Sequence, residues 1–192
     1  MKKILLGLCL ALVVASCGQR NTSAPRNLDN ACSILEQRRG FKPAFVKAQR
    51  KYGIPVHVQM AIIHQESRFI SNARTPRKYI LGVIPNGRVS SAYGYGQALD
   101  GTWAEYKRKT GRRFASRTDI RDVADFIGYY ATESRRRNGV SMYDARGQYL
   151  NYHEGHGGYS RGSYRSKSWL INVANKVQSR ADMYQRQLAR CL

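Results

Sequence analysis

Two carboxylic acids in this chain sit where an ordinary surface charge would not. Glu66 lies in Ile62-Ile63-His64-Gln65-Glu66-Ser67-Arg68-Phe69, where an apolar stretch with helical spacing runs straight into an aperiodic loop. Glu154 lies in Tyr152-His153-Glu154-Gly155-His156-Gly157-Gly158-Tyr159, which reads as a turn rich in glycine, tyrosine and histidine. A carboxyl group at the end of a buried helix, among apolar neighbours, has a raised pKa and keeps its proton near neutrality. Such a group suits protonation of a glycosidic oxygen. Retaining glycosidases place a second carboxylate about 5 Å from the acid, and inverting ones place it further off. Between Glu66 and Asp100 there is no Asp or Glu. A lone acid favours ring closure within the substrate over hydrolysis, with Asp100 and Glu154 left as the carboxylates that could fold back.

The histidines do not make a metal site. His153-Glu154-Gly155-His156 spaces its histidines three apart among glycines, whereas a zinc helix needs them four apart on one face. His57 and His64 are seven apart on one helical stretch, nearly two turns. No metal and no cofactor is expected.

Three motifs in order carry a resemblance. Glu66-Ser67-Arg68-Phe69 resembles the E-S-R-F motif of lytic transglycosylases with a lysozyme-like soluble-transglycosylase domain. Ala92-Tyr93-Gly94-Tyr95-Gly96-Gln97, then Thr102-Trp103, resemble that family's A-x-G-L-M-Q…T-W segment, and Tyr149-Leu150-Asn151-Tyr152-His153-Glu154-Gly155 falls where it carries A-Y-N-x-G. Tyr95-Gly96 stands for Leu-Met, Asp100 for a proline and His153 for the asparagine, so the chain resembles a divergent subgroup.

The resemblance implies a mainly α, lysozyme-like single domain, with a small hairpin and loop region as one wall of a groove. It implies cleavage of the MurNAc–GlcNAc β-1,4 bond of peptidoglycan, leaving a 1,6-anhydro-MurNAc end. Glu66 would first protonate the leaving oxygen and then take the proton of the C6 hydroxyl as it closes on C1. Tyr152 would hold and polarise that carboxyl group, Ser67 would support it, and Gln97 with the Gly94–Gly96 backbone, including Tyr95, would line the sugar groove. His153 and Glu154 would sit in the substrate-binding turn, Glu154 in either a direct or a structural role. Two other readings stay open: a lysozyme-type muramidase that uses water, and a non-catalytic peptidoglycan-binding lipoprotein on the same fold.

The elements that must position these residues are mostly helices. A first helix is expected over 28–39, with Asp29 or Asn30 near its cap, and a second runs from Pro43 to Gly53. Pro55 starts a third, in which Val58, Ala61 and Ile62 share a face that ends at Glu66. Tyr79–Pro85 and Arg88–Ser91 flank Asn86-Gly87, a two-residue hairpin signal. Helices resume over 101–109, 118–138 and 168–189. Asp119, Asp122 and Asp125 lie at the start of the 118–138 helix and Arg135, Arg136 and Arg137 at its end, as the helix dipole favours.

The chain has 192 residues, 42% of them hydrophobic, enough for one core. Lys and Arg outnumber Asp and Glu by 33 to 12, a formal charge of +21. Met1-Lys2-Lys3 and the apolar run Ile4–Ala15 form a signal peptide, and Val14-Ala15-Ser16-Cys17 resembles a bacterial lipobox whose cysteine takes lipid. The chain therefore divides into a signal peptide at 1–17, a polar tether at 18–27 and the catalytic domain at 28–192. Gly18 in place of an aspartate points to the outer membrane, facing the periplasm. There the charge points to peptidoglycan and a membrane surface, not nucleic acid, and the protein is expected to be a monomer. With Cys9 removed and Cys17 lipidated, Cys32 and Cys191 remain as an even pair, expected to form a disulfide joining the ends of the domain.

Overall fold

The computed structural model describes residues 22–192. The expected signal peptide and Cys17, the expected site of lipid attachment, lie outside them. Part of the expected tether is described, and it packs on the domain: Pro25 is buried, the Arg26 amide donates to Gln37 Oε1 at 3.0 Å, and Arg38 donates to the Ser23 carbonyl at 2.7 Å.

The order is α1 (Ala31–Gln37), α2 (Phe41–Tyr52), α3 (Val56–Ser67), β1 (Arg77–Ile80), β2 (Ile84–Arg88), α4 (Asp100–Thr110), α5 (Ile120–Asn138), α6 (Ala145–Ser160), a 3₁₀ turn (Ser163–Ser166) and α7 (Ser168–Leu188). The fold is mainly α, as expected. Asn30 caps α1 by accepting from the Ser33 amide, and Gly53 and Gly139 close α2 and α5 in the left-handed conformation.

Helix α3 is the axis of the molecule. Val56, Val58, Met60, Ala61, Ile62 and Ile63 are all buried, so it is apolar on nearly every side, and it packs against α2, α5, α6 and α7. Its one deeply buried amide, Gln59, donates to the carbonyls of Phe45 and Ile54 at 3.1 and 2.9 Å, tying α3 to the end of α2. Helices α1 and α7 bring the domain's ends together. There Cys32 and Cys191 have Cα atoms 5.8 Å apart, a separation that a disulfide spans. Around them, Ala31 donates to Gln187 Oε1 at 2.7 Å and Arg180 pairs with Asp29 at 2.8 Å.

Two elements differ from expectation. The hairpin turns at Leu81-Gly82-Val83, with Leu81 and Gly82 left-handed, and pairs Ile80 with Ile84 and Tyr79 with Pro85. Asn86-Gly87 lies inside β2, where left-handed Gly87 sits at a register shift. The sequence signal marked a positive-φ glycine correctly, but a bulge uses one as readily as a turn. The segment around Glu154 is not a turn but helix α6, broken at Gly155 (φ 72°, ψ 159°). Asp125 also differs. It is no dipole-facing surface charge but a buried hub, accepting from Lys51 at 2.8 Å, Tyr106 at 2.8 Å and Tyr52 at 3.1 Å. Burial alone would raise its pKa, yet the bonds from Lys51 and Tyr106 hold it below the usual carboxylate range.

Candidate active site

Glu66 occupies the last turn of α3. Immediately after it, Arg68 (φ 53°) and Phe69 (φ 61°) both adopt left-handed backbone, unusual for two consecutive residues with side chains. Phe69 is buried completely and packs on Phe41 at 5.8 Å between ring centroids, so the core holds this turn in place. The chain is thereby swung away, and Glu66 lines a groove of about 440 Å³.

One side of the groove comes from the root of the hairpin and the loop before α4. Thr75, Ala92, Gln97, Ala98 and Leu99 line it, with Thr102 from α4. Gln97 is left-handed (φ 48°), and its Nε2 donates to the carbonyls of Ala73 at 3.0 Å and Gly94 at 2.8 Å, knitting the loop together. The floor is aromatic: Phe126 and Tyr130 from α5 and Tyr152 from α6, with Tyr130 and Tyr152 centroids 5.2 Å apart. His153, Glu154 and Gly155 complete the far side.

Burial in this setting raises the Glu66 pKa to about 8, against a smaller lowering by a hydrogen bond with Tyr149. Glu66 thus keeps its proton at neutral pH. Burial raises Tyr149 and Tyr152 as well, and the Glu66 charge adds to both shifts, so neither phenol ionises near neutrality.

Glu154 is the opposite case. Lys167 Nζ approaches its two oxygens at 2.8 and 2.9 Å, Ser163 donates to Oε2, and His153 Nδ1 lies 3.2 Å from Oε1. Burial would raise this carboxyl, but the bonds from Lys167, Ser163 and His153 outweigh it and bring the pKa to about 2. Its side chain is only 4% exposed. Glu154 is ionised at neutral pH and anchors α6 to the 3₁₀ turn and to Lys167 at the start of α7. One groove therefore holds a protonated carboxyl group and an ionised one. The other carboxylate that could have folded back, Asp100, is exposed and paired with Arg117 at 2.7 Å.

The structure brings Glu66, Gln97, Tyr152, His153 and Glu154 to one groove and leaves three expected groove residues out of it. Ser67 is buried with its hydroxyl on the Ile63 carbonyl at 3.3 Å, a back-bond within its own helix. Tyr95 is buried with its ring edge-on to Phe41 at 5.6 Å. Gly94 is not among the residues that line the groove. It is left-handed, and a Cβ there would fall 2.0 Å from the Arg117 carbonyl oxygen, so its role is a close backbone approach. The hydroxyl of Tyr152 is engaged elsewhere, donating to the Gly96 carbonyl at 2.5 Å. Tyr149, one helical turn earlier, is the side chain whose hydroxyl acts on the Glu66 carboxyl and lowers its pKa. Reading 145–154 as helix would have found it, because residues three apart share a face.

The histidine that follows the break in α6 is structural. His156 stacks on Tyr130 at 4.2 Å and hydrogen-bonds Ser134 at 3.1 Å, with burial lowering its pKa. Among the described residues no group of three or more His, Cys, Asp or Glu is placed to hold a metal ion. The family model described as transglycosylase SLT domain matches residues 5–191. No curated protein matches the chain.

Proposed function

From the membership of this chain in the transglycosylase SLT-domain family, which makes it a peptidoglycan lytic transglycosylase, a lyase, we propose that Glu66 is its single acid and base. In this reading Glu66 gives its proton to the oxygen between MurNAc C1 and GlcNAc C4 as that bond breaks. The resulting carboxylate then takes the proton of the MurNAc C6 hydroxyl as O6 bonds to C1. The proton count returns to its start, no water is consumed, and the product ends in 1,6-anhydro-MurNAc.

The observation that carries the proposal is the division of labour between the two acids of the groove. A carboxyl with a pKa of about 8 is a competent proton donor at neutral pH. A hydrolase would need Glu154 as nucleophile or as base toward water, and its oxygens are already taken by Lys167 and Ser163. The aromatic floor offers apolar faces on which sugar rings can lie.

Digestion of purified peptidoglycan and mass analysis of the fragments tests this. Each new end should be lighter than its hydrolytic counterpart by the mass of one water. Glu66→Gln, which cannot donate and recapture a proton, should lose activity toward the upper end of about 10²–10⁴-fold. Fragments with free reducing ends would make the enzyme a muramidase, and full activity of Glu66→Gln would move the site elsewhere. The proposal also includes export and lipid attachment at Cys17, on the strength of the Val14–Cys17 pattern and the paired Cys32 and Cys191.

A further inference from the structure

The hairpin was expected to form a wall of the groove, but only its root does. Thr75 and Ala92 line the cavity, and none of residues 77–88 reaches it. The tip instead carries an unbroken apolar run into solvent. Leu81 is 89% exposed, Val83 73%, Ile84 55% and Ile80 49%. These side chains offer no hydrogen-bonding group to a sugar. The neighbouring charges are all of one sign: Arg77, Lys78 and Arg88 are exposed on the same two strands, and no Asp or Glu occurs from 67 to 99.

The spacing of the two features is informative. Arg77 and Arg88 face each other across the ladder, four residues behind Leu81. At about 3.3 Å per residue this sets the paired cations roughly 13 Å behind the tip, with Lys78 about 10 Å behind it. An apolar element that enters the boundary of a bilayer goes about 5–10 Å deep. The cations then stand at the level of the lipid headgroups, where long basic side chains are most favourable.

We propose that this hairpin docks on an anionic lipid surface, with Ile80–Ile84 entering the interfacial zone and Arg77, Lys78 and Arg88 engaging the headgroups. The root of the hairpin is fixed to the groove wall through Thr75 Oγ1, which donates to the Ser90 carbonyl at 2.9 Å, and Arg88, which donates to the Thr75 carbonyl at 2.5 Å. Docking therefore sets the orientation of the active-site groove relative to the membrane. It needs no lipid on Cys17 and is independent of the cleavage chemistry.

The test uses the Cys17→Ala chain, exported and recovered from the periplasm, because this change completes an A-x-A cleavage pattern with Ala15 and removes the candidate lipid. Sedimentation with vesicles of phosphatidylglycerol and phosphatidylcholine should pull the protein down at low salt, and pure phosphatidylcholine should not. Adding Leu81→Asp and Val83→Asp should weaken binding at least tenfold, and Arg77→Gln or Lys78→Gln about fivefold each. Turnover of short soluble glycan fragments by these variants should be unchanged, which shows that they are folded. Equal binding by the double aspartate variant, or no binding of the parent to anionic vesicles, overturns the proposal. So does a double variant that binds vesicles normally but loses activity on intact peptidoglycan, since the tip would then contact the wall or a protein.

Discussion

Replacing Glu66 by glutamine should stabilise the protein, and by an amount that depends on pH in one direction only. In the unfolded chain the carboxyl titrates near 4.5, and in the folded chain near 8. Below 4.5 both states hold the proton and the group has no effect on stability. From 4.5 to 8 the unfolded chain has released a proton that the folded chain keeps, so stability falls as pH rises, and above 8 the penalty is constant. At about 1.4 kcal/mol per pH unit, the shift sets a ceiling of about 5 kcal/mol. Because the groove is open to water, which relaxes part of that penalty, the expected gain of Glu66→Gln over wild type grows by about 2–3 kcal/mol between about pH 5.5 and about pH 9. For a chain of this size that is about 4–10 °C in Tm. Thermal unfolding of both proteins at the two pH values measures it, and comparison at equal pH cancels every other titration. The wild-type activity should decline through the same pH of about 8 as the acid loses its proton. A stability gain that is equal at both pH values, or larger at the lower one, would mean that Glu66 titrates normally. The proton-donor argument would then fail with it.

Three further outcomes follow from the contacts. Tyr149→Phe removes the bond that favours ionised Glu66, so the alkaline limb of the activity profile should move up while the rate falls about 10–100-fold, as for a lost bond to a charged group; an unmoved limb would free Tyr149 of this role. Glu154→Gln should cost about 1–3 kcal/mol of stability by loosening Lys167, and should reduce activity much less than Glu66→Gln. That stability difference should be present above pH 4.5 and vanish as pH falls toward 2, where native Glu154 is itself protonated, while a loss of activity equal to that of Glu66→Gln would make Glu154 a reacting group. Finally, labelled fatty acid should enter the wild-type protein and not Cys17→Ala, and non-reducing mass mapping should recover the Cys32 and Cys191 peptides linked. Label in the mutant, or two free thiols in exported protein, would refute the reading of the compartment.

The helices were legible where a residue with a strong backbone preference punctuates an apolar stripe. Gly53 and Gly139 end α2 and α5, and Pro55 precedes α3. In each of these, local and tertiary preferences agree. Helix α6 carries no such stripe. One of its sides supplies the groove, and Gly147, Gly155, Gly157 and Gly158 lower its intrinsic helix propensity. Its helicity comes from packing against α5 and α7 and from the Asp144 cap, which accepts from the Gly147 amide at 2.8 Å. A Cβ at Gly147 would lie 2.3 Å from Asp144 Oδ2, so a side chain there would displace the cap. The composition that hid the helix is thus partly what lets it be capped.

The same gap explains what was missed in the site. Glu66 was legible because its place is set locally, by the end of one apolar helix and the loop that follows it. The state of Glu154 depends on Lys167 and Ser163, residues that follow the break in the helix and carry no motif. Spacing along the chain left Glu154 able to fold back toward the acid, and in the fold it does line the same groove. What separates the two carboxyl groups is their partners. Glu66 has the Tyr149 hydroxyl among apolar surroundings and retains a proton, whereas Glu154 has an ammonium group on both of its oxygens and retains none. A base or nucleophile must offer a lone pair to the substrate, and Glu154 can do so only by leaving Lys167, which would strand a cation beside a buried carboxylate. Of the two glutamates in the groove, Glu66 is therefore the one that can give a proton and, in the proposed mechanism, take it back. That sequence of states, confined to Glu66, is the one an intramolecular ring closure requires.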